Sequence, residues 1–189
     1  MSEAVVHRET MLRRETIFEG RVITVTRDEV RLENGAASTR EVVRHHGGAC
    51  VAALTDDGQL YFVRQFRYAY ERELLELPAG KLEAGEDPFP AAQRELSEEV
   101  GVTADEYADL GVFLPTCGYC NEVIHLYAAR GLHRTAQHLD PDEFVTVLTI
   151  PFAEAERMAL AGEINDGKTI AAIFRLRSLK GLSLIHISW

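Results

Sequence analysis

The order of hydrophobic periods along this chain predicts an α/β fold, and two observations carry that reading. Residues 21–67 fall into runs rich in β-branched and aromatic side chains, divided by Asn-Gly, Gly-Gly and Asp-Gly turn signals. From residue 88 to residue 100 the apolar positions switch to helical spacing, and two further helical stretches lie near the C-terminal end.

The elements follow in order. Residues 21–32 (RVITVTRDEVRL) read as a strand closed by Glu33-Asn34-Gly35, and residues 38–45 as its successor. After Gly47-Gly48, residues 49–54 and 59–67 form the clearest hairpin, turned by Thr55-Asp56-Asp57-Gly58. Residues 72–79 (RELLELPA) are a further extended run. A helix is expected over 88–100, with Pro90 tolerable in its first turn and Phe89, Ala92, Leu96 and Val100 on one stripe. Strands return at 109–114, 122–129 and 144–150, the last after an acidic loop over 134–143, and helices at 152–162 and 167–179 close the fold.

A chain of 189 residues suits one substantial core with a short appended subdomain. Residues 1–47 hold few apolar side chains, so they are expected to form a strand subdomain that packs on the rest or on a second subunit. The main domain is then 48–180. The oddly apolar tail over 181–189, native or not, is set aside from the fold argument.

A net charge of -10 argues against a nucleic-acid partner held through its phosphates. No apolar run approaches the ~20 residues of a membrane span, and the opening MSEAVVHRETMLRRE lacks a secretory apolar core. Three cysteines are too few for a disulfide scaffold, so a cytoplasmic location is expected. Cys50 reads as a core residue. Cys117-x-x-Cys120 has no second pair or nearby histidines, which makes it weak as a zinc site. His45, His46 and His125 read as structural.

The informative stretch is GKLEAGEDPFPAAQRELSEEVGV, residues 80–102. On a helix, Glu95, Glu98 and Glu99 fall within an arc of roughly 100°. Like charges at these spacings repel by a few tenths of a kcal/mol per pair, and no lysine lies between Glu95 and Val102 to offset them. Most E-x-x-E-E segments are simply solvated acidic faces. The alternative is neutralisation by hard divalent cations, which prefer carboxylate oxygens, and the surrounding residues decide between the two. Arg94 can pair with Glu86 and fix the loop against the helix.

The segment resembles the Nudix box, G-x5-E-x7-R-E-U-x-E-E-x-G-U with U aliphatic, at Gly80, Glu86, Arg94, Glu95, Leu96, Glu98, Glu99, Gly101 and Val102. The resemblance implies an α/β/α sandwich around a mixed sheet, with an N-terminal antiparallel strand subdomain. It implies Mg²⁺ as cofactor, with Mn²⁺ as a substitute. Glu95 and Glu99 would be the main ligands, with Glu98 and the carbonyl of Ala79 assisting and Arg94 supporting the catalytic glutamates. Water would attack phosphorus.

Beyond the box, Val63-Arg64-Gln65-Phe66-Arg67, Leu75-Glu76-Leu77-Pro78-Ala79-Gly80, Glu122-Val123-Ile124-His125 and Asp142-Glu143-Phe144-Val145 resemble the ADP-ribose pyrophosphatase subfamily. That likeness implies a nucleoside diphosphate sugar as substrate, ADP-ribose first, cleaved to AMP and ribose 5-phosphate. Arg67 would contact phosphate, and Glu143 would be the base, with Asp140 and Asp142 as alternatives in the same loop. Glu122 would lie near the substrate. It also implies a domain-swapped homodimer in which Arg44 reaches the partner's substrate. One departure is Cys117, where the subfamily typically carries proline; GDP-mannose, or another nucleotide sugar or dinucleoside polyphosphate, is the alternative substrate. Tyr119 beside it could stack on a base or simply pack. A different class, a non-hydrolytic ADP-ribose sensor, is disfavoured by the intact box.

Overall fold

The computed structural model describes residues 6–141 and 143–182, with side chains through residue 179. Asp142 and residues 183–189, which form most of the expected tail, lie outside the described residues. The chain divides into two compact units, Met1–His45 with Thr116–Glu122, and His46–Pro115 with Val123–Trp189.

In the first unit, β1 (Thr10–Glu19), β2 (Thr24–Arg31) and β3 (Ala37–Arg44) form an antiparallel sheet in that order. The Asn34-Gly35 turn joins β2 to β3, with Gly35 at φ 83°, and the register runs from Arg31↔Ala37 to Thr24↔Arg44. Central β2 buries alternate residues Thr26, Asp28 and Val30, as a half-buried strand does, whereas every residue of β1 is exposed. Thr116–Glu122 returns from far downstream to run beside β3. The Val43 amide donates to the Tyr119 carbonyl at 2.8 Å and the Asn121 amide to the Val43 carbonyl at 3.1 Å.

The second unit holds two sheets. One has the order β7-β4-β9-β8, from β7 (Ala79–Lys81), β4 (Gly48–Ala53), β9 (Ile124–Arg134) and β8 (Val102–Phe113). The other has the order β10-β5-β6, from β10 (Val145–Pro151), β5 (Gln59–Arg67) and β6 (Arg72–Glu76), antiparallel throughout. β4 runs parallel to β9 and antiparallel to β7, so the first sheet is mixed. A strand buried on both faces reads as a continuous apolar run, and all six residues of β4 (GACVAA) are buried. Its Cys50 and Ala52 join Leu126 and Ala128 against Ala172, Ile173 and Leu176 of α3 (Gly167–Leu182). Its Ala49, Val51 and Ala53 join Val63 against Ala91 and Ala92 of α1 (Pro88–Glu95) and Leu96 just beyond it. Helix α2 (Phe152–Leu160) adds Ala155 to the α3 side. The sandwich expected from the resemblance is present.

Several elements differ from the sequence reading: β1 forms over Thr10–Glu19, where that reading places no strand, β9 runs on to Arg134, and three further changes touch the second unit. The extended run over 72–79 divides at Leu77-Pro78: β6 pairs with β5, and β7 pairs with β4 in the other sheet. Proline removes the donor that a continuous ladder needs. The helix over 88–100 ends as α-helix at Glu95 and widens into a π-turn over Leu96–Val100. Strand β8 starts at Val102, well before the expected residue 109. Phe89 also leaves the buried stripe, at 38% exposure, and packs edge-on to Tyr107 at 5.3 Å.

Candidate active site

The site is built on the crossing from β6 to β7 and on the helix that follows. Asp87 caps α1 by accepting from the Phe89 amide at 3.0 Å, with Pro88 in the first turn. Upstream, the Glu86 carboxylate accepts the Glu83 amide at 2.9 Å and the Arg94 guanidinium at 3.3 Å, which ties the loop to the helix as expected. Arg94 also donates to Glu98 at 2.8 Å, and its Nη1 lies 2.8 Å from Glu95.

The π-turn changes the presentation of the three glutamates. A wider turn advances each residue by a smaller angle than an α-helix does. Glu99 is 2% exposed and Glu95 8%, whereas the Glu98 side chain stays 39% exposed against Arg94. The Glu99 carboxylate accepts the Ala79 amide at 2.8 Å across the sheet edge. The Glu95 carboxylate lies over Gly80 so closely that a Cβ there would meet its carbon at 1.9 Å. Glycine at position 80 is therefore demanded by the close approach of a carboxylate to the backbone.

Electrostatics marks the same residues. Burial pushes the Glu99 carboxyl up to about 8; the Ala79 hydrogen bond opposes this, and the charges of Glu95 and Glu143 add to it. Burial also pushes Glu95 up, against the pull of Arg94 and with Glu98 and Glu143 adding to the rise. Burial favours the neutral form of both carboxyls, and as hard oxygen donors the pair suits a divalent cation. Among the described residues no three acidic, histidine or cysteine side chains converge tightly enough to form an ion cage alone.

Glu143 arrives on the acidic loop, which is pinned to the box. The Thr135 amide donates to the Gly101 carbonyl at 2.8 Å, the Gln137 side chain to the Glu99 carbonyl at 2.6 Å, and the His138 amide to the Glu98 carbonyl at 3.0 Å. The Asp140 carbonyl accepts the Glu143 amide at 2.9 Å, and the Asp140 side chain is exposed. Glu143 stands two residues before Val145, which pairs with Gln65, itself two residues before Arg67. Arg67 is fixed by Glu76, with Nε at 2.6 Å and Nη2 at 2.8 Å from its two oxygens.

Of the residues expected from sequence, the second unit brings together Arg67, Ala79, Arg94, Glu95, Glu98, Glu99 and Glu143. Arg44 and Glu122 belong to the first unit. There Arg44 donates to buried Asp28 at 2.9 Å, and Glu122 lies 3.5 Å from the His45 ring. Sequence reasoning gave no role to Glu76, Asp166, Lys168 and Thr169. Lys168 bonds to Glu76 and, at 3.0 Å, to Asp166; Thr169 bonds to Asp166 at 2.6 Å and accepts the Leu77 amide at 2.9 Å. The available signal was a charged residue, Glu76, standing inside the apolar run LLEL.

A glycine-ended loop feeding a helix of buried glutamates, set on a mixed sheet between helices, defines a Nudix hydrolase. The chain belongs to the Nudix family: the NUDIX domain is matched over residues 44–173, and the nucleoside diphosphate sugar hydrolase N-terminal domain over residues 9–43. It is 40% identical over 176 residues to the ADP-ribose pyrophosphatase of Bacillus subtilis (strain 168), covering 92% of this chain and 95% of that one. Identity and coverage are the same to the methanol dehydrogenase activator of Bacillus methanolicus. The crystal structure of an ADP compounds hydrolase shares the fold, with a TM-score of 0.82 at 24% identity over 97% of this chain and 100% of that one. Among the described residues no helix is long and apolar enough to cross a membrane.

Proposed function

We propose that this enzyme hydrolyses ADP-ribose to AMP and ribose 5-phosphate, with Mg²⁺ as cofactor and Mn²⁺ able to replace it. The observation that carries the metal-dependent chemistry is the buried pair Glu95 and Glu99, two hard oxygen donors set against the backbone of Ala79 and Gly80. Bound Mg²⁺ would neutralise phosphoryl oxygens and lower the pKa of an attacking water. Glu95 and Glu99 would hold it, with Glu98 and the Ala79 carbonyl assisting once Glu98 exchanges Arg94 for the ion. Glu143 would take the proton from water; its charge already acts on both ligands. Arg67 would hold substrate phosphate, and Arg94 would keep the glutamates in register.

The choice of ADP-ribose is supported by the Bacillus subtilis relative, whose name states that compound, at 40% identity. Residues 1–47 serve as the dimerising subdomain and 48–180 as the catalytic domain, with 181–189 as a tail. The exposed Met11, Leu12, Ile17 and Phe18 of β1 support a homodimer, because they form apolar surface left uncovered on a ten-residue strand at a sheet edge. Arg44 and Glu122 would then complete the site of the second subunit. The enzyme works in the cytoplasm, without nucleic-acid or membrane partners.

A hydrolysis panel of ADP-ribose, GDP-mannose, UDP-glucose, NADH and a diadenosine polyphosphate, each with Mg²⁺ and with EDTA, tests this reading. Mg²⁺-dependent AMP release from ADP-ribose well ahead of the others is the expected result. Preference for GDP-mannose or another compound transfers the substrate and leaves the chemistry. Binding of ADP-ribose without turnover overturns the proposal in favour of a sensor.

A further inference from the structure

Behind Arg67 lies a buried charged cluster that the chemistry above does not use. Glu76 is 2% exposed. Its two oxygens accept Nε and Nη2 of Arg67 at 2.6 and 2.8 Å, the parallel two-bond geometry that fixes the plane of a guanidinium. From the other side Lys168 Nζ bonds to Glu76 and, at 3.0 Å, to Asp166. Asp166 in turn accepts the amide of Thr169 at 3.1 Å and its hydroxyl at 2.6 Å. The cluster ties β5 and β6, which already pair as strands, to the start of α3.

Stability alone gives no reason for this charge. Replacing a buried ion pair by apolar groups is often neutral or stabilising, because desolvation offsets the attraction. What the pair does supply is direction. With Nε and Nη2 taken, the remaining edge of Arg67, which carries Nη1, donates to no partner among the described residues, and the side chain stays 37% exposed. A long flexible cation is thereby reduced to one orientation with one free edge.

We infer that Glu76 is a positioning residue: it aims the open edge of Arg67 at the phosphate of a nucleoside diphosphate substrate, with Lys168 holding Glu76 in place. The inference rests on the reading that Arg67 binds substrate phosphate. A loosened arginine must be ordered again at each binding event, so removing the clamp weakens substrate binding and leaves the metal-centred chemistry intact.

The test is a double-mutant cycle on the full-length enzyme with saturating Mg²⁺, reading kcat and KM for ADP-ribose and, separately, Tm. Glu76→Gln is expected to raise KM by roughly tenfold, with kcat within about twofold, when Arg67 is present. In the Arg67→Ala background the same substitution is expected to change KM by less than about twofold, because there is nothing left to aim. An equal KM effect in both backgrounds, or none with Arg67 present, overturns the inference and makes Glu76 structural. If Arg67→Ala itself leaves KM unchanged, the reading of Arg67 fails instead and takes the inference with it. Glu76→Asp, which keeps the charge beside Lys168 but withdraws it from Arg67, runs the same cycle should the glutamine variant not fold.

Discussion

Glu99 shows what the site demands of a single residue. Its carboxyl titrates at about 8 instead of its ordinary 4.5, mainly because burial disfavours the charged form. A carboxyl with a raised folded pKa contributes its full stability below the unfolded value and loses it as pH rises through the folded one. The metal-free protein should therefore lose stability between pH 4.5 and about 8 on account of this group. Glu99→Gln, which still accepts the Ala79 amide, should be more stable than the parent at pH 8 in EDTA and close to it at pH 4.5; thermal melts at the two pH values check this. Gly80 makes the complementary point. Its added Cβ would strike the far end of the Glu95 side chain, not backbone. Gly80→Ala should keep a melting temperature within a few degrees of the parent, about the effect of 1 kcal/mol, while lowering Mg²⁺-dependent turnover at least tenfold, by roughly the cost of displacing one metal ligand.

Among the elements, the π-turn over Leu96–Val100 matters most, because it rotates Glu99 inward while leaving Glu98 beside Arg94. It is closed by Gly101 at φ 69°, whose amide donates to Ser97 at 3.0 Å. An L side chain there costs about 1–2 kcal/mol in left-handed backbone, and a Cβ would also stand 3.0 Å from the Thr135 carbonyl. Gly101→Ala should lower urea stability by at least that amount; an unchanged midpoint would contradict the assigned cap. The box was legible in the sequence because nine residues from Gly80 to Val102 stand at the spacings of a known motif; the glutamate cluster alone, with Arg94 paired to Glu95 and Glu98, would also suit an ordinary acidic helix face. The π-turn was not, since no residue of LSEEV distinguishes it from ordinary helix. The early half of β8 escaped notice because β8 is an edge strand whose Asp105 and Glu106 face solvent. Glu106 pairs across the ladder with Arg130 at 2.6 Å, a partner that lies beyond any local window. Glu76 was hidden for the same reason: its charge is explained by Arg67 and Lys168, which only the fold brings to it.

For the molecule as a whole, the α/β class followed from periodicity, but the parallel pairing of β4 with β9 came only through resemblance. Hydrophobic patterns give faces, not strand neighbours. The composition of the N-terminal stretch left two choices, packing on the rest of the chain or on a second subunit, and β1 is exposed along its whole length. Light scattering on the purified protein should give twice the 21.1 kDa chain mass at micromolar concentration. A monomer mass would remove the homodimer and with it the role of Arg44.

The central claim is that buried glutamates of the box hold a divalent cation for pyrophosphate hydrolysis. The most direct test is AMP release from ADP-ribose during a Mg²⁺ titration of parent and Glu99→Gln. The account predicts no turnover in EDTA, saturable activation by Mg²⁺ in the parent, and a loss of at least ~10²-fold in the folded variant at every Mg²⁺ concentration. Turnover that persists in EDTA, or a variant that matches the parent, would contradict it.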